Sequence, residues 1–154
     1  MLVPVLIALH VLAAIIWVGG MFFAYMVLRP VAGKLLEAPA RLTLWSNVFA
    51  RFFIWVWAAI IILPLTGYIM IFQTWGGFSN IGLDLKLMHI LGWVMILIFL
   101  HLFFAPFQRL AHAIEEGTYE IAGKQLNIIR RIVAVNLSIG LIVAIIASGG
   151  RYYY

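Results

Sequence analysis

The sequence has no cysteine, only five acidic residues, and charged residues at just 10% of its 154 positions. Without cysteine there is no disulfide, no iron–sulfur cluster and no thiolate metal site. No carboxylate falls inside a long apolar run: Asp84, Glu115, Glu116 and Glu120 stand at the edges of such runs and Glu37 in a link. That disfavours a carboxylate relay for protons or cations. The sequence also lacks a nucleophile–base pair, a phosphate loop and a nucleotide fingerprint.

What the chain does have is apolar surface. Its hydrophobic fraction is 66% and its mean hydropathy +1.14, more than a soluble domain of this size can bury. The surrounding solvent is therefore lipid, and the bilayer is the first partner. The net charge of +5 would suggest nucleic acid in a soluble protein; here it reads as topology, and no nucleic-acid partner is expected.

Crossing a bilayer takes about 20 apolar residues at 1.5 Å each. Four runs are long enough, Leu2 to Leu28, Phe52 to Phe72, Leu83 to Ala105 and Ile129 to Ser148. They predict an all-α integral membrane protein, a four-transmembrane-helix bundle forming a single domain over residues 1–154. The first run has no basic stretch before it and is too long for a signal-peptide core, so it reads as a retained helix. The links between helices one and two and between three and four carry Arg29, Lys34, Arg41, Arg51, Arg109, Lys124, Arg130 and Arg131, against Lys86 and Arg151 on the other side. The positive-inside rule then puts both termini in the periplasm of a bacterial inner membrane. Asp84 reads as a cap for helix three, Pro106 as its kink or end, and residues 107–116 as a short amphipathic helix before a turn at Gly117. Trp75 and Tyr152 to Tyr154 suit an interfacial aromatic belt.

The informative residues are histidines placed by depth. His10 lies about eight residues, roughly 12 Å, from the outer end of helix one, and His89 about six, roughly 9 Å, from that of helix three. Both imidazoles thus come to nearly one level. An ionisable group inside a span is a functional candidate by default. A haem b would need two axial nitrogens, a flat apolar slot and cations near its propionates. His10 and His89 supply the metal ligands in this reading. Lys86 meets a propionate, with Arg151 as a weaker candidate, Trp17 and Trp93 wall the ring, and Gly67 leaves room for it. The plainer reading makes the histidines interhelical polar glue, Trp17 and Trp93 packing residues, and Lys86 a snorkelling anchor. His101 is some 18 Å from His89 along the helix axis and cannot share its iron; His112 reads as a solvated residue. Met21, Met26, Met70, Met88 and Met95 are thioether candidates for copper without forming a cluster.

"LHVLAAIIWVGGMFF" followed by "LRP", "ARFF" at Ala50 to Phe53, "LTGY" at Leu65 to Tyr68 and "LDLKLMHILG" at Leu83 to Gly92 together resemble the CopD-like integral membrane proteins. That group includes copper-resistance components and, more distantly, HemJ-type protoporphyrinogen oxidases that contain haem. The resemblance implies a compact helical bundle with a histidine in helix one, matched by His10, and a lysine opening helix three, matched by Lys86. The HemJ-type Asn-Glu-x-Pro element is represented only by Asn136. The expectation is therefore a haem b protein of electron transfer, bis-histidine ligated near the periplasmic face. A quinone, a respiratory subunit or a homodimer through Gly19-Gly20 would be its partner. The alternatives are copper transport or resistance, with copper in place of haem, and a HemJ-like oxidase; a membrane oxidoreductase activity stays open.

Overall fold

The structure is a computed structural model that describes residues 2–150. Arg151 and Tyr152 to Tyr154, invoked above, lie outside the described residues. Four long helices run over Leu2–Leu35 (helix one), Ala38–Trp75 (helix two), Leu83–Glu115 (helix three) and Tyr119–Gly149 (helix four), each long and apolar enough to cross a membrane. Short connections join them, so neighbours alternate in direction. Helix one packs along helix two, helix three along helix four, and helix four also touches helices one and two. Helices one and three face each other diagonally, and Trp17 meets Phe99 edge-on between them at 6.2 Å.

The helices outrun the apolar spans. With 31 to 38 residues each, they are about 46–57 Å long, against a hydrocarbon thickness of about 30 Å. Residues 38–51 and 119–128, expected as links, are helical, because their apolar residues keep a helical period. Leu42, Trp45, Phe49 and Phe53 form one buried stripe, in which Trp45 and Phe49 lie 5.1 Å apart and Phe49 stacks on Phe53 at 5.4 Å. Phe107 closes edge-on against Phe53 at 4.9 Å, and Leu110, Ala122 and Ile129 complete this end of the core. Burial of these rings holds the charged end of the bundle together where it leaves the lipid.

Of the two readings of Pro106 the helix end is excluded, and the cap expected at Asp84 needs correction. Pro106 does not end helix three: it sits in a π-helical turn, Phe103–Phe107, and the helix continues to Glu115. The wider turn absorbs the missing N–H and the ring. A second π turn, Phe23–Leu28, precedes Pro30 in helix one. Asp84 is not a side-chain cap; Gly82 holds the N-cap position without a side-chain bond. Asp84 instead approaches the end of helix four, where a Cβ on Gly150 would stand 3.2 Å from its carboxylate. Residues 108–115 are helical and Gly117 turns the chain with φ +71, as the sequence leads one to expect.

Large apolar side chains cover the outside of the bundle, among them Leu12, Ile15, Ile54, Leu97 and Ile145. An apolar surface this extensive is stable only against lipid. The chain is a multi-pass membrane protein in contact with the bilayer.

Candidate functional site: two imidazoles on helix two

Both intramembrane histidines dock on helix two, near its last turns. His10 Nδ1 lies 2.7 Å from Thr66 Oγ1. Thr66 is buried, and its hydroxyl donates back to the Ile62 carbonyl at 2.6 Å. A hydroxyl has one proton. With that proton directed to Ile62, Thr66 Oγ1 accepts, so His10 Nδ1–H is the donor. In the tautomer that this arrangement favours, Nε2 keeps its lone pair. Metal-binding histidines are set up in the same way, one nitrogen held by a hydrogen bond and the other left to ligate. Gly67 packs beside the ring: a Cβ there would stand 3.5 Å from His10 Cε1. It seats the imidazole against the backbone of helix two rather than opening a slot for a porphyrin.

His89 has a different setting. Its Nε2 lies 3.2 Å from the Tyr68 hydroxyl. Tyr68 and Phe78 both meet its ring edge-on at 5.0 Å, and Trp93 does so at 6.5 Å. Three aromatic residues thus enclose His89. For Tyr68→Phe we expect a loss of about 0.6 kcal/mol, typical of a side-chain hydrogen bond between membrane helices, measured by thermal unfolding in detergent. The aromatic enclosure would persist.

Thr66 and Tyr68 are two residues apart, hence about 200° apart around helix two. The two imidazoles therefore rest on different faces of that helix. The haem b expectation, and the electron transfer built on it, gains no support from this geometry. Of the other residues assigned to that site, Trp17 is buried in the core against Phe99, about 10 Å along helix one from His10. Lys86 is exposed and makes no ion pair among the described residues. Trp93 adjoins the His89 ring, as Gly67 adjoins that of His10. His101 is exposed, and His112 pairs with Glu116 at 3.2 Å on the surface.

The sequence reasoning passed over Thr66 and Tyr68. Their signal was a threonine and a tyrosine flanking Gly67 at the depth of the histidines. Among the described residues no three His, Cys, Asp or Glu side chains cluster into a metal site. A metal at His10 would draw its further ligands from other donors, and Met70 lies one turn beyond Thr66 on the same face of helix two.

Comparison with known proteins yields one family. Residues 46–149 match copper resistance protein D (CopD), more than half of the chain, and carry Thr66, Tyr68, Lys86 and His89 but not His10. No curated protein and no solved structure gives a match. The chain belongs to the copper resistance protein D family.

Proposed function

We propose that this chain handles copper as its cargo, in the inner membrane of a bacterium, with His10 as the ligand that meets the ion. The observation that carries this reading is the hydrogen-bond chain from the Ile62 carbonyl through Thr66 to His10 Nδ1, which keeps Nε2 available. Family membership favours copper over other metals. Imidazole nitrogen and methionine sulfur both suit copper, sulfur especially its reduced form. Met70, on the Thr66 face of helix two, is the sulfur we assign to the same station. His89 is a separate imidazole within its aromatic enclosure. Isolated imidazoles, rather than a chelating cluster, suit an ion that must be passed on, since transit requires binding weak enough for release. The excess of basic residues at the opposite end of the bundle supports an orientation with both termini, and His10, toward the periplasm.

The test is a titration of the purified protein with Cu(I) against a chromophoric chelator, with a visible spectrum recorded before and after reduction. We expect stoichiometric copper uptake and no Soret band. A preparation that takes up no copper, yet shows a Soret band with sharp reduced α and β bands, overturns the copper reading in favour of haem.

A further inference from the structure

The other end of the bundle holds a cavity of about 670 Å³, and the copper reading makes no use of it. Three arginines from three helices line it: Arg29 of helix one, Arg41 of helix two and Arg130 of helix four. No aspartate or glutamate lines it among the described residues. The ion pairs among those residues are His112–Glu116 and Lys124–Glu120, so none of the three guanidiniums has a carboxylate partner. Arg29 lies over the Tyr25 ring at 4.9 Å, and Arg41 reaches only the Leu36 carbonyl, at 3.4 Å. Three like charges around one hollow repel each other unless an anion offsets them.

Toward the bundle centre the same cavity is apolar, walled by Trp45 and Phe49. It adjoins a void of about 20 Å³ beside Asn136, whose buried carbonyl oxygen has no hydrogen-bond partner among the described residues. The cavity runs along helix two from Ala38 to Phe49, eleven residues or about 16 Å. It is polar and basic at its mouth and apolar at its floor. A free inorganic anion would fill only a small part of it, for 670 Å³ is in the range of pockets that enclose a whole organic ligand.

We infer that this cavity is a binding site for an anionic phospholipid, with the phosphate held by Arg29, Arg41 and Arg130 and the start of an acyl chain lying against Trp45 and Phe49. Guanidinium matches phosphate oxygens in pairs. Basic pockets between helices at the edge of the bilayer recognise headgroups of this kind. The phosphate is the recognised chemistry; the apolar floor identifies the lipid, rather than a free phosphate, as its source.

The test uses the full chain in nanodiscs with equal phosphatidylglycerol and phosphatidylcholine, released into native mass spectrometry so that retained lipids are counted. We expect phosphatidylglycerol to be retained in preference to phosphatidylcholine. In the double variant Arg41→Ala, Arg130→Ala the preference should fall about tenfold. Arg51→Ala, a basic residue outside the cavity, should keep it. If the alanine variant is unstable, Arg41→Lys, Arg130→Lys keeps the charge but loses the paired geometry, and its preference should fall between the other two. Added inorganic phosphate should leave lipid retention unchanged. Equal retention of both lipids by the native chain, or the same preference in the alanine and native chains, overturns the inference. Phosphate adducts that replace lipid reassign the site to a soluble anion and overturn the lipid assignment.

Discussion

Replacing His10 with alanine should abolish stoichiometric copper binding, and Thr66→Val should lower the affinity by about 10–100-fold. The two substitutions separate ligation from positioning. Alanine at position 10 removes the nitrogen itself. Valine at position 66 has nearly the shape of threonine but no oxygen, so His10 Nδ1–H loses the acceptor now at 2.7 Å. The ring then turns freely between rotamers and tautomers, and the copper-binding form is only one of these. Thr66→Ser keeps the oxygen and should restore most of the affinity. Chelator competition with Cu(I) reads all three. X-ray absorption should show a nitrogen ligand lost in His10→Ala and retained, with greater disorder, in Thr66→Val. A His10→Ala chain that binds copper as tightly as the native one moves the site elsewhere, with His89 the next candidate. If Thr66→Val changes nothing while His10→Ala abolishes binding, the ligand stands but the positioning argument falls.

The four spans were legible because a lipid-crossing helix must carry about 20 apolar residues in an unbroken run, and hydropathy alone reports it. The helical extensions were hidden by their charges. Residues 38–51 contain Arg41 and Arg51 and read as a link, although Leu42, Trp45 and Phe49 already repeated with a helical period. The π turns had no signal apart from Pro30 and Pro106, and a proline is compatible with an ending, a kink or a bulge. At the site, sequence position gave depth but not rotation. Counting residues places His10 and His89 at one level. It cannot say which face of a third helix each will meet, because that depends on how helices one and three pack around helix two. Thr66 and Tyr68, two positions apart, meet the two rings from different faces of helix two. The arginine cavity was hidden for a related reason. Arg29, Arg41 and Arg130 were counted as a topological signal, whereas their convergence depends on helices one, two and four meeting beyond the hydrocarbon.

Gly140→Leu should destabilise the bundle far more than the same change at a glycine on its lipid face. Gly140 is buried on helix four, where a Cβ would stand 2.9 Å from a methyl carbon of Val18 on helix one and 3.1 Å from the terminal methyl of Met95 on helix three. Both distances are inside ordinary contact, so three helices approach closely because position 140 has no side chain. Small residues serve this purpose in lipid, where no hydrophobic force drives helices together and close packing must do so. Leucine would push Val18 and Met95 apart at once, and overpacking of this kind costs about 1–3 kcal/mol. Thermal unfolding in detergent should show a clear fall in Tm, with Gly140→Ala intermediate. Gly19→Leu is the matching control: nothing lies within 4 Å of a Cβ there, so its Tm should stay close to native. Gly20 differs from its neighbour, because a side chain on it would collide with the Phe52 ring of helix two. The Gly19-Gly20 pair is thus divided, one residue serving contact within the chain and the other facing outward. Equal Tm values for Gly140→Leu and Gly19→Leu would mean that helix four does not pack as closely against helices one and three as Val18 and Met95 indicate.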